Sequence, residues 1–192
     1  MIIERLVVAS KNPDKIAEVN AVLVELDLVG EIVQGLDWPD VEETEPTLEG
    51  NALLKARTVA AATGLPALAD DTGLEVSALD GQPGVHTARF AGPQATYDDN
   101  VDRLLRDLRG IEDRRARFRT AVALVDGDTE IICDGFVDGR ITVGRRGSGG
   151  FGYDPVFAVD GRTFAEMGEE KHEISHRARA LKALAEKLGS RG

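Results

Sequence analysis

Pro66-Ala67-Leu68-Ala69-Asp70-Asp71-Thr72-Gly73-Leu74-Glu75-Val76 contains the triplet Asp71-Thr72-Gly73, and what surrounds it decides between two unrelated folds. An Asp-Thr-Gly triplet is found in aspartic proteases, which hold two carboxylates around one shared proton on an almost wholly β scaffold. Immediately before it lies a long Ala-rich helix from about Thr47 to Thr63, with Leu48, Ala52, Ala56 and Val59 on one face. Gly64 and Pro66 stop that helix. Pro66 to Leu68 and Leu74 to Ala78 then read as two short buried strands flanking a turn at Asp70-Asp71-Thr72-Gly73. Two carboxylates are thereby presented at a strand end, where open α/β sheets keep their sites. Helical surroundings of this kind argue against the protease.

Moving outward, the apolar run Ile2 to Ala9 ends in Ser10-Lys11-Asn12-Pro13, after which Ile16, Val19, Leu23 and Leu26 recur at helical spacing. That predicts strand, polar loop, helix. A strand near Val29 to Gln34 precedes the acidic loop Glu42-Glu43-Thr44-Glu45-Pro46. After the Asp pair come a Gly/Pro-rich loop from Gly81 to Thr96 and a helix marked by Val101, Leu104, Leu105 and Leu108. Arg117 to Val125 and Glu130 to Val137 form an antiparallel hairpin around Asp126-Gly127-Asp128, whose Asp-Gly step supplies the turn chemistry. A Gly-rich loop from Gly147 to Pro155, a strand near Phe157 and a helix from about Ser175 to Leu188 close the chain. The expected fold is α/β: a mixed central sheet flanked by helices, residues 1–192 forming one domain, with no internal repeat.

Composition limits the function. The chain has 192 residues, 42% apolar and 30% charged, enough for a core of ordinary globular type. Its single cysteine, Cys133, has no partner for an intramolecular disulfide, and no apolar run approaches the roughly 18 residues that cross a bilayer. Met1-Ile2-Ile3-Glu4-Arg5 leads straight into a strand and not into a secretory signal, so a cytoplasmic location is expected. A net charge of −11 repels nucleic-acid backbones, and no window interleaves cations with aromatics. A small polyanion remains a feasible partner where a few cations and a divalent metal gather in one cleft.

Two further motif matches fail on context. His172-Glu173-Ile174-Ser175-His176 fits the His-Glu-x-x-His pattern of zinc metalloproteases, which needs both histidines on one helical face. Ser175 is the natural N-cap of the last helix, which leaves His172 in the preceding loop. Gly147-Ser148-Gly149-Gly150-Phe151-Gly152 fits the dinucleotide fingerprint, but Tyr153-Asp154-Pro155 follows and blocks the helix that motif must open. A flexible loop that can approach a ligand closely is the better reading.

Four polar loops stand out. Ser10 to Lys15 offers hydroxyl, amide and ammonium donors at a helix N-terminus, a good anion site. Glu42 to Glu45 and Asp70 to Thr72 offer the hard oxygen ligands that Mg²⁺ takes. The fourth runs from Gly149 to Asp154 and continues in Lys171 to Arg177. Five ordered motifs run over nearly the whole chain: Ser10 to Lys15, Thr47 to Lys55 with Asn51-Ala52, Ala69 to Leu74, Gly149 to Pro155, and Lys171 through Ile174-Ser175-His176-Arg177. Together they resemble the Ham1/inosine triphosphate pyrophosphatase family. One departure from the family pattern is Gly50, where a glutamate is frequent.

The resemblance implies an elongated, two-lobed molecule with a nucleotide cleft between the lobes, acting as a homodimer. It implies Mg²⁺-dependent hydrolysis of deaminated purine triphosphates (ITP, dITP, XTP) to the monophosphate and pyrophosphate. Asp71 would be the general base and would share the metal with Glu42 or Glu43, Glu42 being favoured. Ser10, Lys11, Asn12, Pro13, Asp14 and Lys15, with Thr72, would hold the triphosphate and sugar. Phe151 would offer a face to the purine, with Gly152, Tyr153 and Asp154 beside it. Lys171, His176 and Arg177 would donate to the C6 oxygen that separates hypoxanthine and xanthine from adenine. The proximity of Asp70 would raise one pKa of the aspartate pair. The rivals are a Maf-like nucleotide pyrophosphatase of other specificity, a nucleotide-binding module without turnover, and, remotely, the zinc protease.

Overall fold

The computed structural model describes residues 3–190, apart from the side chain of residue 169. The chain packs into two compact units. Among the described residues, the first comprises 3–71, 120–135 and 175–190, and the second 72–119 and 136–174.

In the first unit, β1 (Ile3–Val8) is followed by α1 (Pro13–Glu25) and β2 (Val29–Ile32). Strand β1 runs parallel to β2, with Ile3 opposite Val29, and parallel to the start of β3 (Ala67–Val76), with Val8 opposite Leu68. Between β2 and β3 lies α2 (Leu48–Thr63). Its ends are set locally: the Thr47 side chain accepts the Gly50 N–H, and Gly64 closes the helix at φ +67°. The predicted face of α2 is buried at Leu48, Ala52, Ala56 and Val59. Strands β5 (Arg115–Asp126) and β6 (Thr129–Ile141) are joined by the two-residue turn Gly127-Asp128 and are longer than the sequence indicates.

One core of this unit gathers Leu6 and Val8 of β1, Val19, Val22 and Leu23 of α1, Leu68 of β3, and Val122 and Leu124 of β5. It also takes in Ala178, Leu181 and Leu184 of the last helix, α6 (His176–Gly189). Strand alternation assigns the opposite sheet face to Ala67, Ala69, Ala121 and Ala123, all buried small residues that leave room for the alanine-lined α2.

In the second unit β3 pairs antiparallel with β4 (Pro83–Gly84), and β6 with β7 (Phe157–Val159), which pairs in turn with β8 (Arg162–Thr163). With β1, β2 and β3 parallel, the sheet is mixed, as expected. Helix α3 (Tyr97–Asp107) starts at a capping box of Thr96 and Asp99. Its Val101 and Leu104 join Leu74, Phe118, Phe157 and Phe164 in a second core. The three phenylalanine rings pack together, Phe118 edge-on to Phe157 at 4.6 Å, Phe157 tilted to Phe164 at 5.0 Å and Phe118 parallel to Phe164 at 6.1 Å between centroids. The short helices α4 (Phe164–Met167) and α5 (Lys171–Ile174) precede α6.

Two expectations need correction. Asp70-Asp71-Thr72-Gly73 is not a turn between two short strands but the middle of one continuous strand, β3. Its composition favours a turn, but ladder pairing before and after it keeps the backbone extended. His172 lies in the one-turn helix α5 and not in a loop. Ser175, at φ −63° and ψ 155°, breaks the helix between His172 and His176 and caps α6 by accepting the Ala178 N–H. The zinc-protease geometry is therefore absent from this segment.

Candidate active site

Because β3 is extended, Asp70 and Asp71 project to opposite faces of the sheet. Asp70 shares the face of Leu68 and meets α1 and α6. Its Oδ2 accepts from Arg177 Nη2 at 3.0 Å and Nε at 3.2 Å and lies 3.3 Å from Lys15 Nζ. Arg177 also donates to Glu18 of α1. Glu18, Asp70 and Arg177 are all buried. Burial alone would raise the Asp70 pKa, but Lys15, Arg177 and Lys55 outweigh it and hold the carboxyl far below the usual range. Arg177 is likewise disfavoured by burial and more than restored by Asp70 and Glu18.

Asp71 faces α2. Its Oδ1 lies 3.1 Å from Lys55 Nζ and its Oδ2 accepts from Asn51 Nδ2 at 3.3 Å. The same Lys55 ammonium donates to Glu43 Oε1 at 2.8 Å, so two carboxylates converge on one cation. Burial and then Glu43 push the Asp71 pKa up, against Lys55 and Lys15, and the net value is above the ordinary one. The carboxylate that adds to the rise is Glu43, on the acidic loop. For Lys55 burial works the other way and is outweighed by Asp71, Asp70 and Glu43. Glu42 is exposed.

The Ser10 to Lys15 loop caps α1. Asn12 Oδ1 accepts from the N–H groups of Asp14 and Lys15, Ser10 Oγ accepts from the Asn12 N–H, and Pro13 opens the helix. Lys11 reaches Asp40 at 2.5 Å on the surface. Of this loop, Lys15 is the residue brought to the aspartates. His176 is buried at the first position of α6, directly before Arg177.

The second unit holds a separate cluster. Asp154 Oδ2 accepts from Lys171 Nζ at 2.7 Å and from the Phe151 N–H at 2.9 Å, with both charged side chains 4% exposed. A Cβ on Gly150, at φ +70°, would lie 2.1 Å from that same oxygen, so only glycine lets the loop wrap Asp154. Lys171 Nζ sits 5.0 Å from the centre of the half-buried Phe151 ring. Tyr153 is buried in the core and donates its hydroxyl to Thr87 O at 3.0 Å, and burial pushes the phenol up. Thr72 and Gly152 are half-buried, in β3 and at φ +61° respectively.

Glu18, Asn51 and Lys55 take part without having been given a role from sequence. Each left a signal. Asn51 and Lys55 stand four apart beside the apolar face of α2, and Glu18 sits within the apolar stripe of α1.

The family model of the Ham1 family matches residues 6–187. The chain belongs to the Ham1 family. Among curated relatives, a protein of Porphyromonas gingivalis named dITP/XTP pyrophosphatase is 49% identical, covering 96% of this chain and 97% of its own. One of Chlorobaculum tepidum with the same name is 48% identical, covering 96% and 92%. Among solved structures, a HAM1 protein from Coxiella burnetii superposes with a TM-score of 0.86 at 40% identity, covering 98% of this chain and all of that one. The Ham1 protein of Staphylococcus aureus gives 0.83 at 35% identity, with the same coverage. The α/β fold with a mixed sheet is thus the fold of Ham1 proteins.

Proposed function

We propose that this chain hydrolyses deaminated purine nucleoside triphosphates (ITP, dITP and XTP) to the nucleoside monophosphate and pyrophosphate. The observation that carries this is the convergence of Asp71 and Glu43 on Lys55. It supplies a buried carboxylate of raised pKa beside a second carboxylate and a cation. The relatives' name, dITP/XTP pyrophosphatase, supports the substrate class.

The described residues contain no ready-made group of three metal-ligating side chains. Mg²⁺ binds through one or two protein carboxylates completed by phosphate oxygens and waters, and Asp71 with Glu43 fits that donor set. Glu43 is preferred to Glu42, because Glu43 shares a cation with Asp71 and Glu42 is exposed. When bound, the metal would neutralise charge on the phosphate oxygens.

Asp71 accepts the proton of the attacking water as the new oxygen–phosphorus bond forms. The bridging bond between the α and β phosphates breaks, and pyrophosphate leaves with the electron pair. Lys55 and Asn51 fix the Asp71 carboxylate, and Asp71 with Glu43 would hold the metal. Lys15 and the Ser10 to Asp14 loop contribute donors for phosphate, with Thr72 assisting. Phe151 presents a ring to the purine beside Gly152 and Tyr153. Lys171, His176 and Arg177 select the C6 oxygen, with Asp154 holding Lys171.

We also place the enzyme in the cytoplasm, as a homodimer, which light scattering on the eluting protein would read directly.

Pyrophosphate release from ITP, dITP and XTP, compared with dUTP and the four standard triphosphates, tests the proposal. Release is expected to favour the oxo-purines, to vanish with EDTA and to return with Mg²⁺. Turnover confined to pyrimidine nucleotides, or none at all, would overturn it.

A further inference from the structure

Phe151 does not stand alone. The ring of Tyr97, the first residue of α3, lies 5.8 Å from it at 40°. This is within the range in which aromatic pairs attract one another. The same turn of α3 also grips the loop upstream of Phe151. Arg145 Nη1 donates to Asp102 Oδ1 at 2.7 Å, and its Nη2 donates to the Asp98 carbonyl at 3.1 Å. That turn is itself rigid, because Thr96 Oγ1 accepts from the Asp99 N–H while Asp99 Oδ2 accepts from the Thr96 N–H. Downstream, Gly149 N–H donates to Ala165 O and Phe151 N–H to Asp154. The backbone of the loop is therefore tied on both sides. The Phe151 ring takes a cation–π contact from Lys171 and an aromatic contact from Tyr97.

We propose that Tyr97 is a positioning residue for base recognition: it holds the Phe151 ring in the attitude in which it meets the purine, with Arg145 tethering the loop to the same helical turn. This rests on the reading of Phe151 as the residue that faces the base. Tyr97 is 42% exposed and outside the second core, so truncating it leaves that core intact. A Phe151 ring that has lost the Tyr97 contact is less well held and would have to be ordered further by each incoming nucleotide, which weakens binding of the base but not of the phosphates.

Steady-state kinetics with ITP and XTP on the full chain provide the test. Tyr97→Ala is expected to raise KM roughly three- to tenfold with kcat within about twofold, in line with the worth of one aromatic pair. Tyr97→Phe restores wild-type values. Arg145→Ala raises KM in the same direction, giving a second variant distant from the ring. Inorganic tripolyphosphate, which has no base, should inhibit wild type and Tyr97→Ala with the same Ki. An unchanged KM in Tyr97→Ala overturns the inference alone, as does an equal weakening of tripolyphosphate, which would mark a general structural role. A wild type inert toward every purine triphosphate overturns the functional proposal and the inference together.

Discussion

Asp70 is paired on its face of β3 by Lys15 and Arg177, while Asp71, on the other face, is pushed upward by burial and Glu43. The lowered Asp70 pKa means that the native state binds its proton less tightly than the unfolded chain does. Its contribution is complete above the unfolded carboxylate pKa, about 3.9, and is lost as pH falls toward the folded value. Asp70→Asn is expected to cost roughly 3–5 kcal/mol near pH 7, the range for breaking a buried pair. In urea melts at several pH values, the gap from wild type should close below about pH 4. For Asp71 the sign reverses: its raised pKa favours the protonated native state, and that advantage is lost as pH rises through the folded value. Asp71→Asn should therefore cost less stability at pH 7 than Asp70→Asn, while lowering kcat about 10²- to 10⁴-fold, the range for a general base. Calorimetry should still detect ITP binding. Glu43→Gln is expected to raise the Mg²⁺ concentration for half-maximal rate by about tenfold, the lower end of what perturbing a metal's surroundings costs. Glu42→Gln should leave it near wild type. Sequence alone favoured Glu42, since neighbouring glutamates on a loop have no periodicity to separate them.

The last helix shows how an element carries chemistry. Its start is legible in sequence, because Ser175 caps α6 as expected. Where that start sits depends on Gly135 of β6. A Cβ there would come within 2.2 Å of the His176 carbonyl oxygen and 2.3 Å of the Ala180 nitrogen. Backbone atoms on both sides cannot yield as a flexible side chain would. Gly135→Ala is expected to destabilise by about 1–3 kcal/mol, the cost of overpacking a core. It should also lower the ITP-to-ATP rate ratio by moving Arg177 away from Asp70, with thermal melts and parallel assays of both nucleotides as the check. By contrast α2 was readable almost to the residue, since Thr47 and Gly64 act on neighbouring backbone groups. Strand β3 was misread for the converse reason. Nothing local tells a turn-forming tetrapeptide that ladders on either side will hold it extended.

At the scale of the molecule, a net charge of −11 coexists with three buried or half-buried cations around one strand, Lys15 and Arg177 on the Asp70 face and Lys55 on the Asp71 face. A diffuse negative surface is expected to keep polynucleotides away. Filter binding of duplex DNA at about 0.15 M salt should show no retention, and DNA should not inhibit ITP hydrolysis. No helix among the described residues is long and apolar enough to cross a membrane. The sequence by itself determined the α/β class, the limits of α2 and α6, a hairpin turning around Gly127 and the resemblance to the Ham1 family, because each rests on local periodicity, local hydrogen bonding or ordered motifs. Tertiary structure alone decided that β3 is unbroken and that the two aspartates face opposite ways. It also brought Lys55 between Asp71 and Glu43, and joined Arg177 to residues 107 and 159 positions away. Those outcomes depend on which buried cation reaches which carboxylate once the sheet has formed, and such pairings have no period along the chain.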